Sequence, residues 1–210
     1  MESKHKTPVD LIAGFRGSGK TTLIRAMTGS LWQGERVVFL LNERGKARLD
    51  GLDRPVVEWQ GGCICCTASS MLEQAMEELL AQYRPDRLVL ELAETARLAD
   101  AKGLFDQPGS EFRVEHMTFV LNGADFPRRW ALSQRFLEGQ FQESPAVLLN
   151  GAESSGGGAA LAVIENTSPR CAVFTDLADV AELYRAAQVF RMIRPAKRHS
   201  ALRLPLTKLT

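Results

Sequence analysis

The sequence predicts an α/β fold, a mainly parallel sheet with helices on both faces, and three observations carry that expectation. Apolar runs of strand length alternate with segments of helical periodicity along the chain. The strand runs lack the in–out alternation of a half-exposed sheet, so they read as buried on both faces. A glycine-rich turn ending in Lys-Thr joins the first strand run to the first helix.

The elements follow in order. "VDLIAG" (9–14) is a strand and leads into the helical "GKTTLIRAMTGS". "RVVFLLN" (36–42) and "PVVEWQ" (55–60) are strands. "SSMLEQAMEELLAQY" (69–83) places Met71, Leu72, Ala75, Met76, Leu79 and Leu80 at helical spacing, with Ser69 or Ser70 as cap and Pro85 as stop. "RLVLELA" (87–93) is a strand, followed by a weak helix. "MTFVLNGADF" (117–126), a helix over 129–141 and "PAVLLNG" (145–151) continue the alternation. The loop "SSGGG" (154–158) precedes a helix at 159–166; "CAVFTD" (171–176) is the last strand and 177–190 the closing helix.

With 210 residues, 45% hydrophobic and 24% charged, the chain has enough apolar material for one good core. One domain is expected over 1–185, with 186–210 a basic tail and no separate domain. The net charge of +1 conceals an asymmetry: Arg185, Arg191, Arg194, Lys197, Arg198, Arg203 and Lys208 face no acid in that stretch. Such a tail suits an acidic partner, a nucleic acid or the body's own acidic face, or is a solvated terminal helix. The polar "MESKHKTPVD" lacks a signal-peptide core, and the apolar strand run "VVFLL" (37–41) is far too short to span a bilayer. A cytoplasmic location is expected, with no membrane and no nucleic-acid partner.

"GFRGSGKT", Gly14 to Thr21, fits G-x-x-x-x-G-K-[ST] between a strand and a helix. The glycines let backbone N–H groups curl around phosphates, and the helix N-terminus adds its positive end. Gly14, Phe15, Arg16, Gly17, Ser18, Gly19, Lys20, Thr21 and Thr22 are therefore the candidate nucleotide-binding residues. Lys20 is expected to reach the β- and γ-phosphates and the Thr21 hydroxyl to hold Mg²⁺. A P-loop also needs an acid at the end of a neighbouring strand. "DRLVLELAET" offers Glu91 inside the run and Glu94 after it, and Glu91 is the chosen residue.

"GGCICCTASS" gathers three of the four cysteines, Cys63, Cys65 and Cys66, into four positions. In a reducing compartment such a cluster reads as metal ligands or redox groups rather than disulfides, with inert packed thiols as the bland reading. Adjacent Cys65 and Cys66 are also too close to bridge well. Cys171, at the head of a strand, reads as core.

Taken together, "GFRGSGKTTLIRAM", "VVFLLNERGKARLDG", "GGCICCT" and "RLVLELAETARLAD" resemble the nucleotide domain of the CobW-like GTPases, within the wider family of the HypB and UreG nickel-insertion proteins, over residues 8–185. The resemblance implies a SIMIBI-type P-loop NTPase fold in three layers. It implies binding of GTP with Mg²⁺, handling of Zn²⁺ or another transition metal such as cobalt, a client metalloprotein, and a homodimer across the nucleotide sites. It makes Glu43, in "NERG", the acidic switch residue and the favoured oxygen donor beside Cys63, Cys65 and Cys66. Asp50 and His116 are weaker candidates. Three thiolates leave a fourth position open, which suits transfer better than a closed structural site.

The chain departs from that family in several places. Arg16 stands where the family usually has Leu, either adding charge at a phosphate or facing solvent. Glu94 replaces the glycine of the Glu-x-x-Gly motif; as a third candidate catalytic group beside Lys20 and Glu91, it either polarises water or repels the γ-phosphate. The guanine motif Asn-Lys-x-Asp appears as Asn150-Gly151-Ala152-Glu153, which keeps Asn150 and gives Glu153 an extra methylene. GTP selectivity is weakened on this reading and ATP becomes an alternative. "TSPRCAV" resembles the family's base-closing loop. Two functions follow: a nucleotide-gated metallochaperone or cofactor-insertion factor with slow NTPase activity, and a degenerate nucleotide- or metal-binding regulatory module without significant hydrolysis.

Overall fold

The computed structural model describes residues 6–42, 49, 52–59 and 69–193. The element order is β1 (Thr7–Gly14), α1 (Lys20–Ser30), β2 (Val37–Leu41), β3 (Val56–Glu58), α2 (Ser69–Tyr83), β4 (Arg87–Glu91), α3 (Leu98–Phe105), β5 (Phe112–Asn122), α4 (Phe126–Glu143), β6 (Ala146–Asn150), α5 (Gly157–Thr167), β7 (Ala172–Phe174) and α6 (Leu177–Ile193). The strands form one sheet in the order β3-β2-β4-β1-β5-β6-β7, and every pairing is parallel. The expected α/β, three-layer architecture is therefore present.

Both faces of the sheet are covered, which is why the strand sequences run apolar without a break. Val9, Leu11 and Ala13 of β1, with Leu88 and Leu90 of β4 and Phe119 and Leu121 of β5, pack with residues of α2, α3, α4 and α5. Ile12, Phe39, Val89, Val120 and Leu148 point the other way and meet Leu23, Ile24 and Met27 of α1 and Val180 and Tyr184 of α6. Period-two side-chain direction thus splits each strand between two apolar layers.

Several boundaries differ from expectation: α4, expected over 129–141, runs Phe126–Glu143 and takes the end of the stretch expected as strand, and two further differences lie in β5 and α6. β5 begins at Phe112, ahead of the apolar run that starts at Met117. The added stretch of strand carries Glu115 and His116, which belong to a buried ion cluster. Arg87 lies at the start of β4, its Nη1 donating to both oxygens of Asp10 (2.9 and 3.1 Å) and its Nε to Glu35 (2.7 Å). Burial alone would lower the Arg87 pKa, but the charges of Asp10, Glu115 and Glu35 outweigh it and hold the guanidinium above its ordinary value. The β1–β5 register shifts between Val9 and Asp10, whose partners are Val114 and His116. That bulge skips Glu115 in the register, and the Glu115 carboxylate lies 3.6 Å from Arg87. The second difference is α6, which runs past residue 190 to Ile193.

Candidate phosphate site

The loop after β1 is shaped by close approach. A Cβ on Gly14, at φ +144°, would sit 2.2 Å from the Val120 carbonyl oxygen on β5, so only glycine lets β1 turn there. A Cβ on Gly19, at φ +108°, would sit 2.3 Å from Asn150 Nδ2. The space it vacates is used: Asn150 Nδ2 donates to the Ser18 carbonyl at 2.6 Å. The end of β6 is thereby tied to the loop that opens α1, and the Asn150 expected at the base end also braces the phosphate end.

Lys20, the first residue of α1, is buried. Its Nζ donates to the carbonyls of Gly14 (2.9 Å) and Phe15 (3.2 Å) and lies 3.8 Å from Glu91 Oε1. Glu91 is the last residue of β4, buried on the α1 face, and pairs in register with Ile12. β1 and β4 are neighbours, so Lys20 and Glu91 come together. Thr21 is half-buried and Thr22 exposed on the first turn of α1. Thr21 offers a hydroxyl and Glu91 a carboxylate, an all-oxygen donor set of the kind Mg²⁺ takes.

The remaining loop residues divide. Phe15 is half-buried, with ring centroids 5.9 Å from Phe136 and 6.3 Å from Phe119. The Arg129 guanidinium of α4 lies over this ring, 4.4 Å from its centroid. Arg16 and Gly17 are exposed, and Ser18 is buried. The Arg16 backbone N–H donates to Glu94 Oε2 at 3.2 Å, a contact across 78 residues of sequence. Glu94 thus closes on the loop itself, an outcome that sequence reasoning did not foresee. Glu153 is exposed just beyond Asn150, on a turn in which the Ser154 hydroxyl donates to the Gly151 carbonyl at 2.6 Å.

His116, a weaker candidate beside the cysteines, has its Nδ1 2.8 Å from Asp10 Oδ1 and its ring stacked on Tyr184 at 3.9 Å. It sits four residues before Val120, the partner of Gly14, about 13 Å down the strand. One expectation is corrected: the segment "TSPRCAV" does not close over the base end. Ala172 pairs with Ala146 at the start of β6, and its N–H donates to the Pro145 carbonyl, so the segment enters the sheet at the opposite end of the strands from Asn150. In a parallel sheet the turn after Phe174, not the one before Ala172, lies on the Asn150 side.

Cys63, Cys65, Cys66, Glu43 and Asp50 lie outside the described residues. Among the described residues no group of three or more His, Cys, Asp or Glu side chains is arranged to hold a metal ion. Cys171 packs half-buried against the core, and burial pushes its thiol up to about 11. No helix among the described residues is long and apolar enough to cross a membrane.

A parallel sheet whose first strand opens through a glycine loop onto a helix that begins with Lys-Thr defines a P-loop nucleotide-binding domain. The profile of the CobW/HypB/UreG nucleotide-binding domain matches residues 8–172, so the chain belongs to the CobW/HypB/UreG family. Among curated relatives, it is 31% identical over 133 residues to the zinc chaperone CobW of a Sinorhizobium species, covering 57% of this chain and 37% of that protein. It is 37% identical over 90 residues to the zinc chaperone YeiR of Escherichia coli, covering 40% of this chain and 27% of that one. The chain thus spans about a third of the length of these relatives. In fold it is similar to the Zn(II)-bound YjiA GTPase of Escherichia coli, with a TM-score of 0.62 at 16% identity over 81% of this chain and 57% of that one. It is also similar to the hydrogenase maturation factor HypB of Archaeoglobus fulgidus, with a TM-score of 0.60 at 16% identity over 90% and 91% of the two chains.

Proposed function

We propose that the domain binds a guanine nucleotide at Gly14–Thr22 and couples that binding to delivery of a transition metal, zinc first, to a client metalloprotein. The observation that carries this reading is the Lys20 ammonium, folded onto the Gly14 and Phe15 carbonyls beside Glu91. A buried cation on exchangeable backbone partners at the head of a helix is what an arriving phosphate needs. Lys20 would turn to the β- and γ-phosphates, and the α1 N-terminus would add its partial positive charge. Thr21 and Glu91 would hold Mg²⁺, which, when bound, neutralises charge on the phosphate oxygens. Asn150 and Glu153 would meet the base. GTP is favoured because a family relative is the zinc-regulated GTPase metalloprotein activator 1 of Schizosaccharomyces pombe, 30% identical over 132 residues. ATP is the alternative, since Gly151 supplies no lysine stem to lie over a base.

The metal is the cargo of this reading. Cys63, Cys65 and Cys66 would supply three thiolates, with Glu43 or water as the fourth ligand. The nucleotide-binding domain would be 1–185 and the basic 186–210 a tail, with a cytoplasmic location and a dimer across the nucleotide sites as further parts of the proposal. Support for the metal role comes from the family and from the names of relatives, several of them zinc chaperones.

A second reading, a binding module without significant hydrolysis, is favoured by the Glu94 contact to Arg16. Cobalt titration tests the coupled reading. A thiolate-to-cobalt charge-transfer band is expected in the near ultraviolet, absent in the triple Cys→Ser variant and altered by Mg-nucleotide. Thiolate ligation releases protons, so the band weakens as pH falls toward about 5. A band that ignores nucleotide removes the coupling; no band at all removes the metal site.

A further inference from the structure

We propose that Glu94 makes this phosphate site selective for nucleoside diphosphates over triphosphates, an inference that rests on the phosphate-binding reading of the Gly14–Thr22 loop. The β4 side of a P-loop is where the metal-bearing acid and the terminal phosphate meet. Here Glu91 ends β4 beside Lys20, and the next N–H, that of Leu92, still donates to the Ile12 carbonyl of β1 at 2.8 Å. Three residues past Glu91, the Glu94 carboxylate reaches the Arg16 N–H at 3.2 Å. A negative side chain therefore spans from the β4–α3 loop to the P-loop, on the side from which a third phosphate would project.

The carboxylate is held there. Buried Gln140 of α4 donates to the Ala96 carbonyl at 2.8 Å and accepts from the Leu98 N–H at 3.2 Å. Glu143, one turn on, accepts from the Ala99 N–H at 3.1 Å. The loop that carries Glu94 is pinned just beyond it, so the carboxylate does not leave simply by the loop swinging away. A diphosphate needs only Lys20 and the head of α1. A triphosphate brings further negative charge against Glu94 and competes with it for the Arg16 amide. Like charges at this range repel, and a backbone N–H serves one anion well.

The test is calorimetric titration in magnesium buffer with GDP, ADP and the imido-bridged, non-hydrolysable analogues of GTP and ATP. The wild-type chain, Glu94→Gln and Glu94→Gly are compared, with thermal melting to verify folding. Glutamine keeps the length and the acceptor oxygen but removes the charge; glycine removes the side chain. The wild type is expected to bind the diphosphate at least about tenfold more tightly than the triphosphate analogue of the same base, about 1.4 kcal/mol. Both variants are expected to recover triphosphate affinity by about that factor while diphosphate affinity stays within about twofold. If the wild type binds both equally, or if the ratio is the same in all three chains, the proposal is wrong while the P-loop reading stands. If none of the three folded chains binds any nucleotide, the proposal falls together with the P-loop reading beneath it.

Discussion

Strand β4 begins with Arg87 and ends with Glu91, and each end forms an ion pair on the same face of the sheet. The two pairs are built differently. Arg87 is locked by carboxylates: Asp10 at 2.9 Å, Glu35 at 2.7 Å and Glu115 at 3.6 Å. Its neighbours are fixed too, with His116 on Asp10 and stacked against Tyr184, and the Tyr184 hydroxyl 2.6 Å from Thr118 Oγ1. Burial and then Asp10 hold the Tyr184 phenol above its ordinary pKa, so it stays neutral. Lys20, at the other end, rests on two backbone carbonyls and stands 3.8 Å from Glu91, a longer separation than any of the Arg87 contacts. One end ties β1, β4, β5 and the turn before β2 together with charge-assisted bonds, and Tyr184 brings α6 onto that cluster through Thr118 and His116. The other keeps its cation on partners that a phosphate can replace.

The contrast is broken most decisively at Arg87. Arg87→Met leaves the buried Asp10 carboxylate without its guanidinium and is expected to cost about 3–5 kcal/mol in urea denaturation. Lys20→Ala, which lets water into the loop, is expected to cost about 1 kcal/mol. Equal losses at the two positions would erase the distinction between a structural and an exchangeable charge. A smaller effect sharpens the picture of the far end. Tyr184→Phe removes one buried hydrogen bond to Thr118 and should lower stability by about 1 kcal/mol. No change in the denaturation midpoint would mean that stacking on His116, not the hydroxyl, ties α6 to β5.

The same contrast explains what the sequence made legible. Apolar runs without alternation pointed to a sheet buried on both faces, and the parallel sheet of the described residues, with helices on both faces, has that form. The start of β5 was hidden because Arg113, Glu115 and His116 look like loop residues until Asp10 and Arg87, distant in sequence, are brought against them. Polar strand positions carry no periodic signal when their partners lie on other strands. The phosphate loop was legible because its spacing is itself the chemistry: glycines at the tight turns, then Lys and Thr at the head of the helix. The pairing of Lys20 with Glu91 followed from β4 lying beside β1. The Glu94 bond to Arg16 was not legible, since nothing local to either residue encodes a contact across 78 positions. The base-end assignment of "TSPRCAV" failed for a topological reason: the loops before and after a strand lie at opposite ends of the sheet, and the parallel direction of β7 puts the loop after it, not the one before it, on the P-loop end.

The account turns on whether the loop at Gly14–Thr22 takes phosphate through Lys20. Isothermal titration of GDP and ADP into the wild-type chain and into Lys20→Ala tests that directly, with melting curves to verify that both are folded. The predicted result is saturable heat with at least one nucleotide in the wild type, and no measurable binding to a folded Lys20→Ala. Equal affinity in the two chains, or no binding by the folded wild type, would contradict it.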